Sequence, residues 1–386
     1  MVVESVASAA PKRRRFPYVV SLDGIRGLIT IPVILFHFSI TGDMTTLAPG
    51  SFIGPTAFFT LSGFLITSLL MVEKDNDERV DWLGFWRRRF RRLLPASMTV
   101  VLVAVAAPKV VERVWGEVRT VEALAAIFSF KNWQDIHYAS NAETGMRTLG
   151  PLSPFWSLSI EEQFYLGMTI VIGLAMFSVH WRRWLAAAFV VVGAYSVWSM
   201  ITIESTLNRE FFGTDTRAAE LVVGCLLALA IDRWGWPSSP RWSWVGWASL
   251  LGTLWFWSTV TEHDRWVLRG GLSAMSLLTV GLILGAAPGT GWFATAFSWP
   301  PLVELGKMSY AVYVSHWPVA LALRPDNVGF GGWPLLGIRI LASFAVAFAL
   351  TRWIETPIRT RARLQGAQGP IAFVIVLTAI VVLTRL

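Results

Sequence analysis

Apolar runs long enough to cross a bilayer as helices recur along the chain, separated by short polar or charged intervals. They lie near 20–41, 52–72, 93–107, 156–178, 184–203, 217–231, 242–259, 268–287, 303–323, 334–354 and 370–385, the third and sixth being short. The pattern predicts an all-α integral membrane protein. Its polytopic bundle has about 10 transmembrane helices, with an additional C-terminal helix. Segment 121–130, "VEALAAIFSF", is too short to cross and reads as a surface or re-entrant helix. The expected organisation is a basic tail at 1–17, a membrane domain at 18–358, and a linker with a C-terminal transmembrane helix at 359–386. Within the membrane domain, an Arg-rich loop spans 73–92 and a longer loop spans 108–155. No internal repeat or soluble domain is visible.

Composition agrees: 54% of the 386 residues are hydrophobic and 15% are charged, against roughly 25% charged in soluble domains. The net charge of +8 would suggest nucleic acid in a soluble protein. Here the basic residues cluster in short intervals between apolar runs, so topology and anionic lipid explain them without nucleic acid. With the N-terminus cytoplasmic, 19 Lys and Arg fall on the inner side and 11 on the outer. The short loops weigh most, and "DERVDWLGFWRRRFRRLLP" is the strongest of them. A multi-pass protein of the plasma (inner) membrane follows, its first span reading as a retained signal anchor. The single cysteine, Cys225, excludes an intramolecular disulfide and a Cys-based metal cluster, and no metal site is expected.

Ionisable residues inside spans are costly and usually face an interior or a water-filled cavity. In "DGIRGLITIPVILFH", Arg26 and His37 are eleven residues apart, on one helix face and roughly 16 Å apart along the axis. Arg26 near the inner interface could snorkel, or pair with Asp23. Glu161 and Glu162 begin the fourth span, about 100° apart, so at most one points squarely at a given target. His316 lies in "GKMSYAVYVSHWPVALAL", and Arg217 with Glu220, at i and i+3, could simply pair. By helical rise, His37, Glu161 and His316 fall at similar depth in the outer half, which would form a polar pocket. A histidine oriented by a carboxylate is a good general base for a hydroxyl. Arg87, Arg88, Arg89, Arg91 and Arg92 read either as positive-inside anchoring or as a phosphate clamp.

These residues resemble the acyltransferase 3 family of integral-membrane O-acyltransferases. The resemblance rests on "RGLITIPVILFH", with Arg26 and His37; on "FFTLSGFLI", with Ser62; and on Arg88, Arg89, Arg92, Leu93 and Pro95. It continues through "WSLSIEEQFYL", with Glu161, Glu162 and Tyr165; "TRAAELVVG", with Arg217 and Glu220; and "SYAVYVSHWP", with His316. Each motif is short, but their order, with spans between, is specific. The resemblance implies transfer of an acyl group, often acetyl, from cytoplasmic acyl-CoA to a hydroxyl of a glycolipid or carbohydrate at the outer face. It makes His37 catalytic with Glu161 assisting, and gives the CoA end to Arg26, Arg88, Arg89 and Arg92. Asp23, Ser62, Glu162, Tyr165, Arg217, Glu220 and His316 are expected to support the pocket. Acyl-CoA enters as co-substrate, with no permanently bound cofactor.

Two mechanisms stay open at this stage: direct attack of the hydroxyl on the thioester, or an acyl-His37 intermediate. So does the acceptor, a bacterial envelope glycolipid or glycan or a secreted small molecule such as a macrolide. Rival readings are a proton-coupled transporter using His37, Glu161 and His316 as a relay, and a non-catalytic lipid-binding or scaffold protein.

Overall fold

The computed structural model describes residues 16–111, 114–139, 150–203, 207–287 and 291–386. The basic cluster at 12–15 and part of the 108–155 loop lie outside them. Every regular element among the described residues is helical. In chain order these are α1 (Val20–Ile40), α2 (Gly54–Asp77), α3 (Trp82–Val110), α4 (Thr120–Ile127), α5 (Lys131–Ala139), α6 (Phe155–Ala175), α7 (Trp181–Thr202), α8 (Leu207–Phe212) and α9 (Thr214–Trp234). They continue with α10 (Trp242–Thr259), α11 (Leu272–Gly285), α12 (Trp292–Phe297), α13 (Pro300–Ala322), α14 (Pro325–Val328), α15 (Gly332–Ala349), α16 (Thr356–Arg359) and α17 (Gln368–Leu383).

Every predicted span coincides with a helix. Six described helical stretches are long and apolar enough to cross a membrane: Val20–Ile40, Pro49–Asp77, Trp82–Val110, Trp181–Thr202, Val267–Gly285 and Gly332–Arg359. The helices α6, α9, α10, α13 and α17 occupy the remaining predicted spans. In α6, α9 and α13 the polar side chains described below dilute the apolar run, and α17 is short. Segment 121–130 contains α4, an eight-residue helix.

The Arg-rich interval differs from its expected form. The sequence reads 73–92 as a loop, but α2 continues to Asp77 and α3 begins at Trp82. Asp81 caps α3, its Oδ1 accepting the Gly84 N–H at 2.8 Å. The arginines therefore ride a helix, and their direction is set by helical phase. Pro95 sits inside α3 without ending it.

Two crossings organise the bundle, α1 on α13 and α2 on α9. Both are built on glycine. A Cβ at Gly306 would land on the Asp23 carbonyl, and one at Gly27 on the Leu302 carbonyl. At the second crossing, Gly63 meets the Leu221 carbonyl and Gly224 the Thr60 carbonyl. Such close backbone approach is the usual means of helix association in lipid, where burying apolar side chains gains little. The first crossing brings α1 and α13 together side by side and sets Arg26 near one end of the pair and His37 near the other.

Candidate functional site

At the His37 end, the ring of His37 meets that of His316. His37 Nδ1 lies 3.2 Å from His316 Nε2, and His316 Nδ1 lies 2.7 Å from the Tyr313 carbonyl oxygen. A carbonyl only accepts, so His316 Nδ1 carries a proton and, in the neutral ring, Nε2 is the lone-pair nitrogen. His37 Nδ1 must then donate to it. This leaves His37 Nε2 as the free lone pair. The chain of partners thus selects the tautomer of a histidine two steps away. His316 is 0% exposed, and the Tyr313 hydroxyl is 2.6 Å from Ser157 Oγ, which ties α13 to α6.

His37 lines a small cleft that opens at this end of the bundle, walled by Phe36, Phe52, Trp156, Phe211, Tyr313 and Trp317. Trp317 stands edge-on to His37, ring centroids 5.3 Å apart. Glu262, from the turn after α10, adds a carboxylate to the rim. Arg217 supports the aromatic wall from behind. It is 0% exposed, pairs with Glu220, and donates to the Phe211 carbonyl at 2.9 Å and to Thr56 Oγ1 at 3.1 Å. Its guanidinium lies 4.8 Å from the Phe211 ring centroid and 5.5 Å from that of Trp156. The expected i, i+3 pair exists, and it braces cleft residues rather than facing the cleft.

Glu161 departs from its expected place. Ser62 Oγ donates to its Oε1 at 2.8 Å, and Arg89 approaches its Oε2 at 3.7 Å. The residue set against His37 is His316. Glu161 lies one helical turn, about 6 Å, beyond Ser157 and away from the histidines. Of the three residues expected to share one depth, the structure joins His37 to His316 and gives Glu161 a different set of partners, Ser62 and Arg89. Glu162 also reaches Arg89, accepting from Nε at 2.7 Å. Two carboxylates about 100° apart on α6 meet one target because the guanidinium fork is wide enough to serve both. The Arg89 guanidinium caps the ring of Tyr165, 3.7 Å from its centroid.

At the opposite end, Arg26 donates to Ser309 Oγ at 3.3 Å. Asp23 accepts instead from the Tyr18 hydroxyl at 2.6 Å, so the local Asp23–Arg26 pair is not formed. Arg92 sits within electrostatic reach of Arg26 and Arg89. Arg88 turns away to the surface and pairs with Glu73 at 3.1 Å. Three of the four arginines given to the donor end are thus gathered, and Arg88 is separate. The sequence reading overlooked Ser309 and Tyr313. With His316 they are spaced i, i+4, i+7 in "SYAVYVSHWP", a one-face pattern that could have exposed them. Among the described residues, no group of three or more His, Cys, Asp and Glu side chains is arranged to hold a metal ion.

The described residues thus form a helical bundle with a histidine pair toward one end of α1 and arginines toward the other. The acyltransferase domain of the acyltransferase 3 family matches residues 19–352, and the chain belongs to that family. It is similar to the peptidoglycan O-acetyltransferase OatA of Listeria monocytogenes, 32% identical over 367 residues that cover 89% of this chain and 56% of that protein. It is equally similar to the O-acetyltransferase OatA of Staphylococcus aureus, at 32% identity over 89% of this chain and 58% of that protein. A third relative is the putative peptidoglycan O-acetyltransferase YrhL of Bacillus subtilis, 30% identical over 91% of this chain and 56% of that protein. The chain thus spans a little over half the length of these relatives. No solved structure matches. Family membership favours the acyltransferase expectation over the transporter and the scaffold.

Proposed function

We propose that this protein is an O-acetyltransferase of a bacterial plasma membrane, moving an acetyl group from cytoplasmic acyl-CoA to a carbohydrate hydroxyl at the outer face. The names of the relatives favour peptidoglycan over a glycolipid or a macrolide as acceptor. The observation that carries this reading is the lone pair left on His37 Nε2, on a residue that lines an open cleft. The positive-inside bias puts the Arg26 end in the cytoplasm and the cleft outside.

The roughly 16 Å rise between Arg26 and His37 is comparable to an extended pantetheine arm. Arginines at the inner end hold the phosphates, and the thioester reaches the outer half. His37 Nε2 takes the proton of the acceptor hydroxyl as its oxygen attacks the thioester carbonyl. The carbon–sulfur bond breaks, the acetyl group leaves as an ester, and the proton on His37 passes to the thiolate. His316 holds the imidazole in the required tautomer. Glu161 and Glu162 fix Arg89 rather than assist at the base.

The test is acetyl transfer by the purified chain in nanodiscs, followed as thiol release from acetyl-CoA with a peptidoglycan fragment as acceptor. His37→Ala is expected to lower kcat by about 100-fold or more, the usual worth of a general base, and to leave acetyl-CoA binding intact. Full activity in that variant would sink the proposal.

A further inference from the structure

The arginines toward the Arg26 end belong to a larger charged cluster than the motifs above cover. Beyond α15 the helix widens into a π-helical segment at Leu350–Glu355, and α16 follows directly. Single π turns inside helices are rare and concentrate at functional positions. This one carries Glu355 inward to 2% exposure. Its Oε1 lies 3.8 Å from Arg359 Nη1. Its Oε2 is buried without a hydrogen-bond partner. Arg26 and Arg92 are within electrostatic reach of the same carboxylate, and Arg92 also senses Arg359. One carboxylate from the π turn therefore lies against Arg359 of α16 and in the field of Arg26 from α1 and Arg92 from α3. Arg92 and Arg359 are solvent-exposed, so a ligand can reach the cluster from the surface.

Two observations indicate that this cluster awaits an anion. Arg26, Arg89, Arg92 and Arg359 outnumber Glu161, Glu162 and Glu355, the carboxylates within their reach, so positive charge is in excess, and guanidinium forks match phosphate oxygens two at a time. The Glu355 carboxylate meanwhile is held weakly, one oxygen at long range and the other unsatisfied, which is costly for a buried charge. An internal anion that binds poorly is readily displaced by one that binds well.

We propose that Arg26, Arg92 and Arg359 form a phosphate-binding site for the nucleotide end of the donor, with Glu355 as the internal anion that the phosphate displaces. The inference rests on the acyl-CoA reading above and adds to it Arg359, Glu355 and the exchange between them. A lipid phosphodiester offers the same chemistry from another source. The donor is favoured because Arg26 lies on the same face of α1 as His37, one arm length away.

The test is CoA binding to the full chain in phosphatidylcholine nanodiscs by calorimetry. Arg359→Ala is expected to weaken CoA about tenfold, the worth of one charge-assisted contact, with partial recovery in Arg359→Lys. Glu355→Gln keeps shape and removes the competing charge, so CoA should bind several-fold tighter, an outcome that a structural role for Glu355 does not produce. Arg183→Ala removes one charge from an exposed position at another site and should bind as the unaltered chain does. Wild-type affinity in Arg359→Ala, weaker binding in Glu355→Gln, or an equal loss in Arg183→Ala would each overturn the site. A loss in Arg359→Ala seen only when phosphatidylglycerol is added to the discs would assign the site to lipid and overturn the donor. Absence of CoA binding by the unaltered chain would be a different failure, that of the donor itself.

Discussion

A neutral imidazole has one donor nitrogen and one acceptor nitrogen, so a bonded pair of histidines has a direction. Here the direction is set by a backbone carbonyl. The Tyr313 oxygen fixes the proton on His316 Nδ1, and through His316 Nε2 it fixes the proton on His37 Nδ1. His316 is thereby a positioning residue for His37. Replacing His316 with Ala is expected to lower kcat by about 10- to 100-fold while the KM for the donor changes little, because the base survives but its tautomer is no longer selected. His316→Gln, whose amide oxygen can accept from His37 Nδ1, should recover part of the loss. Steady-state kinetics with acetyl-CoA check both, and a KM-dominated defect would count against the positioning role. The sequence made both histidines visible as candidates, since ionisable groups in apolar runs stand out. It did not pair them. Glu161 looked the better partner because a carboxylate commonly orients a catalytic histidine, and only the packed structure turns it to Ser62 and Arg89.

At the scale of elements, the Arg-rich interval between the second and third spans carries the clearest lesson. Dense charge read as a loop, yet Phe85, Arg89, Arg92 and Ala96 recur at helical spacing on one side of α3, with Phe85 and Ala96 buried, Arg89 half-buried and Arg92 still reaching solvent. Arg88, one residue from Arg89, is turned by about 100° to Glu73. A cluster that is uniform in sequence is thus divided by helical phase into interior and surface members. The glycine crossing of α1 and α13 sets what those interior members can reach. Gly306→Val would drive its side chain into the Asp23 carbonyl and part the two helices at the level of Arg26 and Ser309. We expect a loss of about 1–3 kcal/mol or more, the range for overpacking a tight contact, read as a lower midpoint of thermal unfolding in detergent. Activity should fall further than stability alone accounts for, because the arginine end shifts relative to the histidine end.

At the scale of the whole molecule, the ends of α1 and α13 are joined by one buried arginine that local sequence pattern does not single out. Arg339 on α15 is 0% exposed and, among the described residues, has no carboxylate partner; its guanidinium donates there to neutral oxygens. They are the carbonyls of Phe38 at 2.6 Å, Thr41 at 2.9 Å, Ala320 at 3.1 Å and Leu323 at 3.0 Å, with Thr41 Oγ1 at 3.0 Å. All five N–H groups are used. These acceptors lie at the C-terminal ends of α1 and α13, where unpaired carbonyls and the helix dipoles favour a cation. Arg339 so locks together the two helices that present His37 and His316. Arg339→Ala should destabilise the protein by at least about 3 kcal/mol, several charge-assisted bonds being lost at once. Arg339→Lys should recover little of this, because an ammonium cannot span five acceptors. Thermal unfolding in detergent reads the difference, and near-wild-type stability in either variant would contradict the locking role.

The all-helical class, the placement of the apolar helices and the ordered motifs that mark the family were legible in the chain. Hydropathy and helical periodicity are local properties, carried by residues within a few turns of one another. The choice of partners was not. His37 with His316, Glu161 with Arg89, Glu355 among three arginines and Arg339 across two helix ends each join residues that are far apart in sequence. Such pairings depend on the rotation, tilt and offset of helices about their glycine crossings, and a shift of one turn exchanges one partner for another. The sequence by itself determined which groups the membrane interior would hold. Tertiary packing decided which of them meet, because burying an ionisable side chain requires a partner but leaves open which partner until the helices dock.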